Sequence, residues 1–323
     1  MKRFLIILIV ILAFTASACK SGNEGDLREI RINLTYIPNV QFAPFYVAIE
    51  KGFFEAEGLK VNLVYGNEAD MVALVGTNHE QFMIASGEQV LLSREQGLPV
   101  VAVAPWYKDY PVGVIALKEA NIQSPEDLKG KKIGLPGLYG ANYIGMEALA
   151  GQSGLKNEDY QLVSIGFTQV ENLVSGTVDA AVVYLANEPV QLRERGYETD
   201  VMAVSDYIDL VGNCLVTNET TIKNEPELAR AVVNAFLRAL KYSAENPDEA
   251  WAISRKYVEN LTEETAPIQR KVLDESIRLW LLEKESESEQ AQSWSNMMKV
   301  LLDIGLMKKE IHLDEAYSNE FLP

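Results

Sequence analysis

The chain has 323 residues with 29 Lys and Arg against 46 Asp and Glu, a formal charge of −17. That excess of acid argues against nucleic acid as a partner, because phosphate binding depends on clusters of Lys and Arg. The length suffices for two domains of typical size, each with its own core, and 48% hydrophobic residues can fill both.

Taken from its start, the chain places Lys2 and Arg3 before an apolar run from Phe4 to Phe14, and Thr15-Ala16-Ser17-Ala18 leads into Cys19. A positive start, a short apolar stretch and small residues before a cut are the marks of a secretory signal. The run is shorter than the roughly 20 apolar residues that a bilayer span requires. The small residues ahead of Cys19 resemble the lipobox of bacterial lipoproteins, with Ala16 where Leu is usual. That resemblance implies a signal peptide over residues 1–18, a lipid anchor on Cys19 and a place on the extracytoplasmic face of the cell membrane. Cleavage leaves 27 basic against 46 acidic side chains. With Cys19 lipidated, Cys214 is the only other thiol, so an intrachain disulfide is excluded. Residues 19–29, small or polar through Asp26, read as a flexible tether.

Short apolar strands then alternate with helical patterns. Ile30 to Ile37, Lys60 to Tyr65, Phe82 to Ala85, Val100 to Pro105 and Val112 to Leu117 read as strands, with Phe45 to Glu57 as a helix between the first two. Ser124-Pro125-Glu126-Asp127 opens a short helix, with Ser as cap and Pro at its first position. A second series follows, with strands at Lys132 to Leu135, Leu162 to Ile165 and Ala180 to Leu185, and a capping box at Thr168-Gln169-Val170-Glu171. From Asn224 onward the pattern is helical, with Asn246-Pro247-Asp248-Glu249 as a cap and Glu283 to Gln292 as a solvated polar stretch. The fold class is therefore α/β: two lobes built on doubly wound parallel sheets with a ligand cleft between them. In such sheets ligands bind beyond the carboxyl ends of the strands.

The run Tyr36-Ile37-Pro38-Asn39-Val40-Gln41-Phe42-Ala43-Pro44-Phe45-Tyr46-Val47-Ala48, with Glu50-Lys51-Gly52-Phe53-Phe54 after it, resembles the opening of substrate-binding proteins of ABC importers. The branch is the one that handles nitrate, alkanesulfonates, thiamine pyrimidine precursors and riboflavin. Ala85-Ser86-Gly87-Glu88, Gly97-Leu98-Pro99-Val100, Asp127 to Gly134 and Val178-Asp179-Ala180-Ala181 follow in the family's order. The resemblance implies a two-lobe periplasmic-binding-protein fold of type 2. Lobe one spans 30–117, lobe two 118–216, and 217–323 return to lobe one with the C-terminal helices, the crossings falling near Lys118 and Thr217. It also implies a membrane permease as partner, and a monomer.

The ligand class follows from the stretches after the strands. They hold Tyr36, Phe42, Phe45, Tyr46, Trp106, Tyr107, Tyr110, Tyr139, Tyr143 and Tyr184, with Phe45, Tyr46 and Tyr143 where helices should pack, but only one basic residue, Lys108. Nitrate or a sulfonate is expected to draw an Arg, a Lys or a helix N-terminus. Aromatic faces suit a flat heteroaromatic ring, with Trp106, Tyr107, Tyr139 and Tyr184 as the stacking set. Asn39, Gln41, Gln89, Asn142, Asn187 and Glu188 are candidates to read its edge, and Ser86 and Glu88 complete the predicted site. In the thiamine-precursor relatives an acidic residue at a place similar to Glu188 meets the pyrimidine; a dipole-complementing role at a helix start is the alternative. Within the family, the opening run and Trp106-Tyr107 look closest to riboflavin binders. A formylated or hydroxymethyl pyrimidine is the second ligand, a sulfonate or nitrate the third, and an interaction lipoprotein without a small ligand the reading from another class.

Catalysis, metal and cofactors find little support. His79 and His312 are far apart and outside the predicted strand ends. Gly134-Leu135-Pro136-Gly137-Leu138-Tyr139-Gly140 lacks the Gly-Lys-Ser/Thr ending of a phosphate loop. The related pyrimidine synthase of yeast type carries a Cys-rich motif that Cys214 alone does not supply.

Overall fold

The computed structural model describes residues 27–259, 261–280 and 286–323. The signal peptide, Cys19, the tether through Asp26 and residues 283–285 of the polar stretch lie outside the described residues. Arg28 and Glu29, expected at the end of the tether, are the first residues of a strand whose Ile30, Ile32 and Leu34 point inward. The strands are β1 (Arg28–Leu34), β2 (Leu59–Tyr65), β3 (Phe82–Ser86), β4 (Val100–Pro105), β5 (Val112–Leu117), β6 (Lys132–Leu135), β7 (Gln161–Ser164), β8 (Ala180–Tyr184), β9 (Thr199–Ala203) and β10 (Asn213–Asn218). They form two five-stranded sheets, ordered β2-β1-β3-β10-β4 and β7-β6-β8-β5-β9.

Each sheet is mixed rather than wholly parallel. β10 runs antiparallel to β3 and β4, and β5 runs antiparallel to β8 and β9. This corrects the expected boundaries: β5 belongs to the second sheet, so the chain crosses over residues 106–111, not near Lys118. It returns over residues 204–212, ahead of Thr217, which is already inside β10. The reason is that β5 is an apolar run buried on both faces, which fits the centre of either sheet.

The helices are α1 (Ala43–Glu50), α2 (Phe53–Ala56), α3 (Glu68–Gly76), α4 (Gly87–Glu95), α5 (Gly140–Gln152), α6 (Gln169–Val174), α7 (Glu188–Glu194), α8 (Glu219–Asn224), α9 (Pro226–Glu245), α10 (Pro247–Ser254), α11 (Ala266–Leu279) and α12 (Glu287–Asp303). The single helix expected over Phe45 to Glu57 is broken at Gly52, whose φ of 66° is left-handed and ends α1. Ser124 and Asp127 do form a capping box. Thr168 does not, because its hydroxyl turns back to donate to the Ile165 carbonyl at 2.5 Å. Asn246 likewise donates to the Tyr242 carbonyl at 3.0 Å, closing α9 rather than capping α10.

One core runs from the first sheet and α4 through β5, α5 and β8 to Trp294 and Leu301 of α12. Another joins α1 to α9 and α11, with Phe45 stacked on Phe236 at 5.0 Å. The C-terminal helices thus do more than return to the first sheet. α11 packs on α7 beside the second sheet, and α12 touches both α4 and α5.

Candidate ligand cleft

Between the sheets lies a cleft of about 590 Å³, within the range usual for small-molecule sites. Its walls are the residues just past the carboxyl ends of β1, β2, β4, β6, β7 and β8, where open α/β sheets present their ligand sites. Tyr36, Gln41, Phe42, Gln89, Trp106, Tyr107, Tyr139, Asn142, Tyr184, Asn187 and Glu188 all line it. The other three predicted residues, Asn39, Ser86 and Glu88, do not. Asn39 Oδ1 accepts from the Gln41 N–H at 2.9 Å and so shapes the 3-10 turn Val40–Phe42. Ser86 and Glu88 stand behind the wall, where Ser86 binds Glu68 and Glu88 is 0% exposed.

The expected stacking set separates by depth. Trp106 and Tyr107 are only 2% and 4% exposed, and they form the floor. Around Trp106 stand Phe42, Phe45, Tyr107, Phe236 and Trp280, with ring centroids 5.2 to 6.3 Å away, leaving its faces to other rings. Tyr184 is half-buried, and its hydroxyl donates to Asn213 Oδ1 at 3.4 Å. Tyr139 stands 66% exposed at the rim, its ring folded over Gly137, where any Cβ would lie 2.4 Å from a ring carbon.

Phe167 was missed by the sequence reading, which took the neighbouring Thr168 as a helix cap. It lines the cleft opposite Tyr36, the two rings meeting edge to face at 4.9 Å. That contact joins the loop after β1 to the loop before α6, and so spans the cleft. Asn213 was also missed, because Asn213, Cys214, Thr217 and Asn218 interrupt the apolar pattern of β10. Glu68 also lines the cleft and went unnamed, although an acid just after a strand was a signal for it.

The wall is acidic. Among its described lining residues there is no Lys, Arg or His, while Glu68 and Glu188 each present a carboxyl. Lys108, the one cation expected there, is exposed elsewhere. Glu188 Oε2 accepts from the Tyr184 N–H at 3.0 Å, and Oε1 accepts from Asn187 Nδ2 at 2.9 Å. Burial still pushes its pKa up to about 7. Asn187 makes no side-chain cap; its Oδ1 accepts from Gln191 Nε2 at 3.0 Å. Asn142 and Gln169 both donate to the Val182 carbonyl, at 3.0 and 3.5 Å, which orients their amides from the second-sheet side.

The structure superposes on the periplasmic aliphatic sulphonate binding protein SsuA of Escherichia coli with a TM-score of 0.74. The overlap covers 89% of this chain and 91% of that one at 14% identity, a likeness of fold: the two-lobe α/β architecture of periplasmic binding proteins. In sequence, the chain is 35% identical to the riboflavin-binding protein RibY of Chloroflexus aurantiacus, over 93% of this chain and 88% of RibY. It is 28% identical to the formylaminopyrimidine-binding protein of Halalkalibacterium halodurans, over 99% of both. A relative from Legionella pneumophila, 22% identical over 91% of this chain and 92% of its own, is named 4-amino-5-hydroxymethyl-2-methylpyrimidine phosphate synthase. The model of the NMT1/THI5-like family matches residues 39–250, and with these relatives it shows that the chain belongs to that family.

Proposed function

We propose that this protein is the substrate-binding component of an ABC importer, which captures an uncharged flat heteroaromatic vitamin, riboflavin, and delivers it to a membrane permease. The observation that carries this reading is the composition of the cleft: seven aromatic side chains and no cation among the described lining residues. Such a wall takes a large neutral ring with polar edges and offers no cationic side chain to balance a sulfonate or nitrate. The relation to RibY supports the same ligand. The protein acts as a monomer, tethered through lipid on Cys19 at the extracytoplasmic face, and is not an enzyme; no helix among the described residues is long and apolar enough to cross a membrane.

Closure of the lobes about the crossings at 106–111 and 204–212 delivers both walls to the ligand. The proposed contacts are Tyr36, Phe167 and Tyr139 at the mouth, Trp106 and Tyr107 beneath, and Gln41, Gln89, Asn142, Asn187 and Glu188 for the ring edges. A formylated or hydroxymethyl aminopyrimidine is the second reading, favoured by the Halalkalibacterium relative and by a buried Glu188 able to share a proton with a ring nitrogen.

Riboflavin fluorescence titrated with protein, beside thermal unfolding with riboflavin, an aminopyrimidine and taurine, tests the ligand. Quenching with a thermal shift for riboflavin alone is the expected result. A shift with the pyrimidine and unquenched flavin transfers the assignment to the second reading. Replacing Cys19→Ser is expected to move the protein to the soluble fraction, and unchanged membrane retention overturns the anchor.

A further inference from the structure

Glu68 was given no role by the sequence reading, yet it is the carboxylate on the wall with an uncommitted oxygen. It is the first residue of α3, after Asn67, whose Oδ1 caps that helix by accepting from the Ala69 and Asp70 N–H groups. Its Oε1 accepts twice from Ser86, from the N–H at 2.6 Å and from the hydroxyl at 2.8 Å. These two bonds fix the side chain. Its Oε2 takes no hydrogen bond from the described residues, and Glu68 lines the cleft. Behind it stands Glu88, wholly buried, with neither carboxyl oxygen hydrogen-bonded among the described residues.

The remaining groups that feel this charge are also acids. Tyr110 and Tyr184 are raised well above the ordinary tyrosine range, first by burial and then by neighbours that include Glu68 and Glu88. Glu88 holds its proton up to about 8, because of its burial and the charge of Glu68. Burial raises the Glu68 pKa as well, but its two hydrogen bonds from Ser86 oppose that rise, so the charge that the pair keeps falls on Glu68. No lining cation offsets that charge.

We propose that Glu68 is a specificity-determining residue: its open oxygen accepts a hydrogen bond from a hydroxyl or ring N–H of the uncharged ligand and excludes the phosphate ester of the same molecule. This rests on the vitamin reading above, and it adds a choice that reading leaves open. A neutral polyol chain brings donors, which a fixed carboxylate pairs with strongly. A phosphate in the same place brings only like charge and acceptors.

The experiment compares riboflavin, its 5′-phosphate and its uncharged 5′-acetate by calorimetry and flavin quenching, on the wild type, Glu68→Gln and Ala69→Lys. The expected wild type binds the acetate nearly as well as riboflavin and the phosphate at least about tenfold more weakly. Glu68→Gln keeps an acceptor for Ser86, weakens riboflavin about fivefold and narrows the gap to the phosphate. Ala69→Lys places a cation at an exposed helical position that itself lines the cleft beside Glu68, so it reads the charge effect even if Glu68→Gln unfolds; the gap should narrow there too. Phosphate bound as tightly as riboflavin by the wild type, acetate rejected as strongly as phosphate, or a gap unmoved by Ala69→Lys each overturns the role of Glu68 while the vitamin reading stands. Failure of riboflavin itself to bind overturns both.

Discussion

Glu88 and Glu188 are buried carboxyls with no cation beside them among the described residues, and burial raises their pKa values to about 8 and about 7, the charge of Glu68 adding to the rise at Glu88. In the unfolded chain both titrate near 4.3, so between about pH 4.5 and pH 8 the folded chain holds more protons than the unfolded one. Stability therefore falls as pH rises through that window. The melting temperature of the ligand-free protein is expected to drop over that range, with Glu188→Gln flattening its lower part and Glu88→Gln its upper part, by about 2–4 °C for each kcal/mol recovered. Glu29 and Glu225 act in a separate window. Lys60 and Arg28 hold their carboxyls below the usual range, so that contribution is present above about pH 4.5 and lost as pH falls below it. Calorimetry at constant ionic strength checks the sign, and a melting temperature that climbs from pH 5 to 8 in the wild type contradicts it.

At the scale of elements, the floor and the mouth of the cleft have different origins and should fail differently. Trp106 leaves β4 and is walled in by rings from α1, α9 and the residue after α11, so it braces elements as well as lining the cleft. Trp106→Ala is expected to cost about 3–5 kcal/mol of stability before any ligand is added. Phe167 is 61% exposed and, among the described residues, meets only the ring of Tyr36. Phe167→Ala is expected to change ligand-free stability by no more than about 0.5 kcal/mol and to weaken flavin binding by about fivefold, the loss of one aromatic contact. Chemical denaturation and quenching titrations on the two variants separate these effects; equal stability losses would refute the division into floor and mouth. The two also differ in legibility. Trp106-Tyr107 stood out in the sequence as an aromatic pair after a clear strand, but their burial depends on Phe236 and Trp280, far along the chain. Phe167 sits between β7, four residues long, and the Thr168 position that was read as a cap, so nothing local marked its ring as part of the wall.

Across the whole molecule, the alternation of strands and helices made the two-lobe architecture legible, because the apolar runs of β1, β4, β6 and β8 end where the wall begins. The exchange of strands between sheets was not legible. β5 carries no mark of which sheet it joins, and β10 hides its strand behind buried polar residues: the Thr217 hydroxyl donates to the Gln81 carbonyl at 2.7 Å, and Asn218 Nδ2 donates to the Val75 carbonyl at 2.9 Å. These two strands decide where the hinge lies. The crossings beside them are tied to both sides: the Tyr110 hydroxyl donates to the Ala141 carbonyl of α5 at 2.8 Å, and the Gly87 N–H of α4 donates to the Gly212 carbonyl at 3.1 Å.

In the proposed closure the rotation falls on residues 106–111 and 204–212, and α11 on α7 and α12 on α4 and α5 are the contacts that would limit its extent. A ligand that touches both walls stabilises the closed arrangement by its differential affinity. At about 100 times Kd it should add roughly 2.7 kcal/mol to the unfolding free energy, and small-angle scattering should show a smaller radius of gyration with riboflavin than without. Phe167→Ala, which removes a contact made across the cleft, should bind the flavin with less compaction at equal saturation. A radius that stays fixed while riboflavin binds and raises the melting temperature would mean that the ligand enters an already closed cleft, and the hinge would then have no part in capture.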